Sequence, residues 1–321
     1  MRPFAYKSPE RIEEVFPLLG ANSRAIAGGT DLLTLMKADL AAPEQLVNVK
    51  RVLPKGIALS GEGLTIGALS TLAEIETSAD VRSRYAALAQ AAAVAASTQV
   101  RNMASIGGNL LQRPRCWYFR NADIPCWLKG GDRCPARDGE NRHHAIFGPG
   151  PCHAVHPSDL APALMALQAE VRVRGPRGEK ALPLESFFAL PSESRRSETL
   201  LAPDELVLAI RLPKPDGVRS VYLKAMDRAS FAFALVGVAA AVRLEGRRVA
   251  QARIVLSGVA PIPWRVPAAE RVLEGSDLSE SALERAAGAA LEDAVPLAKN
   301  AYKLPLARTL IKRALTSVSG A

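Results

Sequence analysis

Apolar and polar positions along the chain follow both helical and strand periods, which predicts a protein of the α+β class. Near the N-terminus, one helix face is predicted from Ile12, Val15, Phe16 and Leu19. Further helices are predicted over 32–36, 72–76, 86–97 and 160–167. Strands are predicted over 24–27, 45–49 and 64–66, with a hairpin joining 171–173 to 180–182.

A turn-rich segment, 214–217, predicts a domain boundary. Beyond it, strands are predicted over 219–225, 233–244 and 249–256, which indicates a small antiparallel sheet. Residues 281–315 are predicted to be largely helical.

The longest apolar run, 231–242, has twelve residues, whereas a membrane span needs about 20, so no span is expected. The N-terminal residues contain no apolar stretch of the signal-peptide kind, and no secretory signal is expected on this chain. The formal net charge is +9, yet there is no recognised nucleic-acid motif and no long basic run. The charge therefore favours solubility or docking of acidic partners, and no nucleic-acid partner is predicted.

All four cysteines and all four histidines lie between Cys116 and His156. The cysteines are spaced C-x9-C-x7-C-x17-C, without the close CxxC pairs usual for zinc. Five prolines and five glycines in 114–151 predict a long loop rather than helix or strand. Two disulfides, one zinc ion and an iron–sulfur cluster all remain open at this point.

Two diglycine elements indicate a bound nucleotide. Residues 27–32 read A-G-G-T-D-L between a predicted strand and a predicted helix, and residues 105–109 read S-I-G-G-N. Glycine lets backbone N–H groups approach a phosphate, although each element is also compatible with a plain turn. Asp159 is a candidate ligand or helix cap, and Lys224 a candidate anion partner or an exposed strand residue.

In combination these elements resemble the FAD-binding subunits of the molybdenum hydroxylases, a family that includes xanthine dehydrogenase, carbon monoxide dehydrogenase and aldehyde oxidoreductases. The resemblance also includes T-I-G-A at 65–68, S-D at 158–159, Y-L-K at 222–224 and A-Y-K at 301–303. It implies a FAD-binding PCMH-type fold of two subdomains, like that of vanillyl-alcohol oxidase, over residues 1–215. A C-terminal flavoprotein domain of an antiparallel sheet with helices would occupy residues 216–321.

The cysteine loop, 112–155, is similar to an insertion in the flavin subunit of bacterial periplasmic-type aldehyde oxidoreductases. That similarity implies a [4Fe–4S] cluster whose ligands are Cys116, Cys126, Cys134 and Cys152. The nearest rival is the flavin subunit of 4-hydroxybenzoyl-CoA reductase, and a xanthine dehydrogenase type is a further alternative.

The resemblance also implies which residues bind FAD. The first diglycine element would wrap the pyrophosphate, the second would line the opposite side, and two single residues would contact other parts of the cofactor. These residues are Ile26, Ala27, Gly28, Gly29, Thr30, Asp31, Leu32, Leu33, Ser105, Gly107, Gly108, Asn109, Asp159 and Lys224. No catalytic residue is predicted on this chain.

The implied function is electron transfer. A large subunit with the molybdenum cofactor would oxidise the substrate, a small subunit would carry [2Fe–2S] clusters, and FAD on this chain would pass electrons to an external acceptor. The compartment would be the periplasm, reached with a partner's signal, or the cytoplasm. Two other classes remain open: a stand-alone FAD oxidase and a zinc-stabilised scaffold without redox chemistry.

Overall fold

The computed structural model describes residues 1–319, which form three sheets and the helices packed on them. The first sheet is parallel and has the order β1-β3-β2. Its strands are β1 (Ala5–Lys7), β2 (Ser23–Ile26) and β3 (Gln45–Asn48). Helix α1 (Leu32–Lys37) follows β2 directly, so the residues between them form a strand-to-helix turn at the sheet edge.

The second sheet is antiparallel and has the order β4-β5-β8-β6-β7. Its strands are β4 (Ile57–Ser60), β5 (Gly63–Gly67), β6 (Glu170–Gly175), β7 (Gly178–Pro183) and β8 (Leu206–Pro213). Six helices lie between β5 and β6 outside the cysteine loop. They are α2 (Leu72–Thr77), α3 (Ala79–Arg84), α4 (Ala86–Ala93), α5 (Thr98–Met103), α6 (Ile106–Leu110) and α8 (Leu160–Ala166).

The third sheet is antiparallel, has the order β12-β11-β10-β9, and is buried on both faces. Its strands are β9 (Val218–Ala225), β10 (Val236–Glu245), β11 (Arg248–Ser257) and β12 (Trp264–Arg265). Along β10, Ala239 and Ala241 face the core shared with α4 and α8, whereas Val238 and Val242 face the C-terminal helices. Successive side chains thus alternate between the two faces, as the period of two along a strand requires.

The C-terminal helices are α10 (Pro267–Leu273), α11 (Glu280–Ala289) and α12 (Lys303–Ser319). Within residues 1–319 no helix combines the length and the hydropathy that a bilayer crossing requires. The cysteine loop contains two short helical turns, α7 (Trp117–Arg120) and a 3₁₀ turn over Trp127–Lys129; a further short helix, α9 (Leu184–Phe187), follows β7. The mixed fold predicted from the sequence is confirmed.

Several predicted element boundaries are wrong, and proline explains two of them. The helix predicted from Ile12 to Leu19 is two 3₁₀ turns, Ile12–Glu14 and Phe16–Leu18, because Pro17 has no N–H for an α-helical bond. The helical region predicted over 281–315 is interrupted between α11 and α12, where Pro296 disfavours helix at the residue before it.

Left-handed backbone explains a further difference, and one predicted strand begins later than expected. The helix predicted over 86–97 ends at Ala93, since Ala96 has φ +50° and Ser97 caps the next helix by accepting from the Val100 N–H. The strand predicted over 233–244 begins only at Val236, and Phe231 has φ +51°. The apolar run that suggested strand therefore includes two exposed phenylalanines, Phe231 and Phe233.

Candidate cofactor site

The first diglycine element forms the turn between β2 and α1. Residues 26–33 are all partly exposed, so a ligand can reach their backbone. Gly29 has φ +71°, a conformation that glycine adopts without strain. At Gly28, an added Cβ would stand 1.9 Å from the carbonyl oxygen of Met103. Residue 28 must therefore be glycine, because the first element packs there against Met103, just before the second element.

The second element begins at Ser105, which caps α6 by accepting a hydrogen bond from the Gly108 N–H at 3.3 Å. Asn109 accepts from the Ser158 hydroxyl at 2.5 Å, and Ser158 also accepts from the Ala161 N–H at 3.0 Å. Ser158 therefore caps α8, the role considered for Asp159. The two diglycine elements and the 158–159 segment are in this way brought to one place.

Asp159 and Lys224 form a buried ion pair at this place. The Lys224 Nζ lies 2.8 Å from one Asp159 oxygen, and the Tyr222 hydroxyl donates to the other at 2.6 Å. Lys224 also donates to the Val94 carbonyl at 3.1 Å. Burial raises the pKa of Asp159, an effect that Lys224 opposes. The Lys224 side chain is thus buried and ion-paired, so the alternative prediction of an exposed strand residue is wrong.

Asp31 directs its carboxylate toward the cysteine loop. It accepts from the backbone N–H of Arg113 at 2.8 Å, and its Oδ1 pairs with Arg115 at 2.8 Å and Arg120 at 2.7 Å. Only 15% of the Asp31 side chain is exposed. The carboxylate is therefore committed to the loop, which leaves the backbone of this turn, and Thr30, available to a nucleotide.

The loop and the Asp159 region also share a small cavity of about 20 Å³. Arg115, adjacent to Cys116, lines it together with Asp159 and Ser257. The guanidinium of Arg115 also lies 5.3 Å from the ring centre of Phe233. The cysteine loop therefore borders the same space as the buried ion pair.

All four cysteines are free thiols, and two of them, Cys126 and Cys152, are buried. Burial raises the pKa of Cys116 to about 11 and also raises the pKa values of Cys126 and Cys152. Repulsion from Cys134 contributes to each of these three shifts. Cys126 and Cys152 also belong to one buried cluster, against which Cys116 packs. Among residues 1–319, however, no group of three or more His, Cys, Asp or Glu side chains is arranged to hold a metal ion.

Backbone amides oppose these rises in pKa. The amides of Tyr118 and Phe119 lower the pKa of Cys116, those of Leu128 and Lys129 lower the pKa of Cys126, and that of Ala154 lowers the pKa of Cys152. Amides directed at sulfur stabilise thiolates and are a recurring feature of iron–sulfur sites. The loop also has an apolar core of its own, to which Leu35 of α1 contributes. The loop therefore has a source of order besides any bound metal.

Residues at the start of α12 and just before it hold the second half of the cysteine loop. Lys303, which is fully buried, donates to the carbonyl oxygens of His143, His144 and Gly258 at 3.1, 2.9 and 2.6 Å. Burial lowers the pKa of Lys303 to about 7. Asn300 donates to the carbonyls of His144 and Ala145, both at 3.1 Å. The A-Y-K sequence at 301–303 therefore anchors the cysteine loop.

Sequence reasoning missed Arg113, Arg115 and Arg120 as partners of Asp31, and His144 as a neighbour of Cys116. The imidazole Nε2 of His144 lies 3.2 Å from the Cys116 Sγ. Burial, together with the positive charge of Lys303, lowers the pKa of His144 to about 4. The available signal was the three arginines flanking the first cysteine, but one sequence does not say which carboxylate they pair with.

Two protein families match this chain, and together they cover nearly all of it. Residues 2–215 match the family described as the FAD binding domain in molybdopterin dehydrogenase. Residues 221–318 match the CO dehydrogenase flavoprotein C-terminal domain.

Individual relatives agree with the family matches. The chain is 40% identical over 300 residues to the aldehyde oxidoreductase FAD-binding subunit PaoB of Escherichia coli (strain K12), covering 92% of this chain and 90% of that protein. It is 30% identical over 324 residues to the carbon monoxide dehydrogenase medium chain of Hydrogenophaga pseudoflava, covering 98% and 96%. A solved structure of carbon monoxide dehydrogenase from the latter organism, lacking the Mo-pyranopterin moiety of its cofactor, superposes with a TM-score of 0.79 at 28% identity. That match covers 99% of this chain and 98% of the other.

Proposed function

Since the chain belongs to the FAD-binding subunits of the molybdenum hydroxylase family, and is thus an oxidoreductase subunit, we propose that it carries both FAD and a [4Fe–4S] cluster in an aldehyde oxidoreductase. The proposal is carried by the contacts of Asp31, which join the first diglycine turn to the cysteine loop. Four free thiols lie on that loop. The 40% identity to an aldehyde oxidoreductase subunit favours the aldehyde class over the xanthine and 4-hydroxybenzoyl-CoA alternatives.

The proposed FAD site uses the backbone of residues 26–33 and of Ser105, Gly107, Gly108 and Asn109, with Asp159 and Lys224 farther along. FAD, when bound, supplies an acceptor of one or two electrons. Gly28 and Gly29 shape the turn that exposes backbone N–H groups, and α1 begins directly after it. Lys224 is a buried cation already fixed by Asp159, so it is suited to a position near an anionic or electron-rich part of the cofactor.

The proposed cluster ligands are Cys116, Cys126, Cys134 and Cys152. A cluster, when bound, supplies a one-electron carrier. The backbone amides directed at Cys116, Cys126 and Cys152 support this proposal, because amides that stabilise thiolates recur at iron–sulfur sites. Residues 112–155 also have seven basic and four acidic side chains, an excess of +3 that offsets the negative charge of four thiolates around a cluster.

The remaining parts of the proposal concern partners and organisation. We propose a heterotrimer, in which a large subunit with the molybdenum cofactor and a small [2Fe–2S] subunit deliver electrons to this chain, and an external acceptor removes them. Within the chain, residues 1–215 would form the FAD-binding PCMH-type domain, with the loop 112–155 as an insertion. Residues 216–321 would form the flavoprotein C-terminal domain.

Gly28→Ala tests the FAD site, because the new Cβ would overlap the Met103 carbonyl and force the turn apart. Flavin retained by the purified chain, measured by absorbance after acid release, should fall at least tenfold. Gly20→Ala is the matched control, since an added Cβ there meets nothing within 4 Å, and it should retain wild-type flavin. Full flavin in Gly28→Ala, or a wild-type chain without flavin, would remove the first turn from the site.

Cys126→Ser tests the cluster. The chain should be produced under anaerobic, iron-replete conditions with its partner subunits, and its iron and acid-labile sulfide should be measured. We expect the variant to lose the [4Fe–4S] iron while keeping FAD. Leu128→Ala disturbs the same apolar core without removing a sulfur and should keep its iron. Unchanged iron in Cys126→Ser would contradict its role as a ligand, and zinc in the wild-type chain would favour the scaffold alternative.

A further inference from the structure

Cys116 differs from the other three cysteines in its surroundings. Among the four cysteines, all of which lie in the described residues, Cys116 is the one whose sulfur contacts a ring nitrogen: the Nε2 of His144 lies 3.2 Å from its Sγ. The His144 side chain is buried, so water does not compete for this contact. A sulfur that accepts a hydrogen bond donates less electron density to the metal that it ligates. Such bonds are one of the means by which proteins set the reduction potential of an iron–sulfur cluster.

The position of the imidazole is fixed from several directions. The backbone N–H of His144 donates to the Asn141 carbonyl at 2.9 Å, and the backbone carbonyl of His144 accepts from the side chains of Lys303 and Asn300. The ring centre lies 5.4 Å from that of Trp117, in an edge-to-face arrangement, and 5.9 Å from that of Tyr118. The ring therefore has little freedom to turn away from the sulfur.

The direction of the hydrogen bond follows from the chemistry of a bound thiolate. A sulfur that ligates iron has no proton, so the proton in this contact must come from the imidazole. A neutral imidazole has one N–H, and in this arrangement the proton lies on Nε2. The other nitrogen, Nδ1, has no partner among the described residues.

We propose that His144 is a positioning residue for the cluster, which donates a hydrogen bond from Nε2 to the Cys116 sulfur and thereby raises the reduction potential of the [4Fe–4S] centre. The proposal rests on the function proposed above, because it requires that Cys116 ligates a cluster. It also gives the C-terminal A-Y-K sequence a role in redox tuning, since Lys303 and Asn300 hold the backbone of His144 in place.

The test compares two variants of His144 in the complex purified with its partner subunits. His144→Leu removes the donor, and the midpoint potential of the [4Fe–4S] signal, followed by EPR during a redox titration, should shift to a lower value. His144→Gln keeps an N–H donor of similar reach and should restore the potential most of the way to the wild-type value. The FAD potential should be unchanged in both.

His143→Leu is the matched control. His143 also packs edge-to-face on Trp117, with ring centres 5.6 Å apart, but the sulfur contact belongs to His144. We expect no shift of the cluster potential in this variant. If His144→Leu loses its iron, retention of a wild-type potential by His144→Gln still supports the proposal.

Three results would overturn it: a wild-type potential in His144→Leu, equal shifts in the Leu and Gln variants, or loss of iron in both. A wild-type complex without four-iron content would instead refute the proposed function itself. The two failures are therefore distinguishable in one set of preparations.

Discussion

Asp31 and Lys303 both attach the cysteine loop to the rest of the protein with a single charged group and three main partners, but they do so with different chemistry. Asp31 binds two guanidinium groups and one backbone N–H, and part of its side chain reaches solvent. Lys303 binds three neutral carbonyl oxygens and is fully buried. The comparison shows that an ion-paired anchor tolerates exposure, whereas a buried cation without an acidic partner depends on every carbonyl that surrounds it.

Removal of the Lys303 ammonium should produce the largest effect. Lys303→Met removes a donor from the carbonyls of His143, His144 and Gly258, of which His144 keeps its bond from Asn300. Each carbonyl left without a donor costs about 1–3 kcal/mol, so the free energy of unfolding should fall by about 2 kcal/mol or more. Chemical denaturation followed by tryptophan fluorescence measures this loss. Lys299→Met is the control, because Lys299 pairs with Glu140 in an exposed bridge between the same two regions and should cost less than about 1 kcal/mol. Similar losses in both variants would contradict the distinction.

The second prediction concerns pH. The pKa of Lys303 in the folded chain is about 7, below its ordinary value of 10.5, so between these values the unfolded chain binds more protons. The cost of burying the charge is therefore present in full below pH 7 and is relieved as the pH rises. Relative to Lys303→Met, the wild-type chain should gain at most about 1.4 kcal/mol per pH unit from pH 7 to 9. A difference in unfolding free energy that is flat over this range would show that Lys303 stays protonated in the fold.

The smallest effect is expected at Asp31. Asp31→Asn keeps an acceptor for the Arg113 N–H but removes the charge from Arg115 and Arg120, so we expect a loss of about 1–2 kcal/mol. The wild-type advantage should shrink as salt is added, because the pair is partly exposed. Asp39→Asn is the control, since Asp39 is exposed and its pair with the N-terminal amine is long, at 4.0 Å. A loss at Asp31 equal to that at Lys303 would remove the contrast between the two anchors.

The parts of the fold that local chemistry dictates were predictable. The strand before Gly28 and the helix after it follow from period and from glycine, and the sequence predicted both of them. The strand β8 was not predicted. It is a nearly continuous apolar run that is buried along its length, and such a run has no alternation to distinguish strand from helix.

The site was predictable as a set of motifs but not as a set of contacts. The sequence brought the two glycine elements, the four cysteines and Lys224 to attention, and the structure places the glycine elements together. The sequence could not show that Asp31 faces the loop, since the partners of Asp31 lie about 80 to 90 residues away along the chain. Nor could it show that His144 faces Cys116, since this depends on backbone contacts with a helix near the C-terminus.

The contact between Gly28 and the Met103 carbonyl has a consequence for any attempt to redesign this protein. Because no side chain fits between them, this main-chain contact limits how far apart the two halves of the proposed nucleotide site can lie. A graft that imports the first turn from a relative would need to import the helix over Thr98–Met103 as well. We expect the two segments to be exchangeable only as a unit.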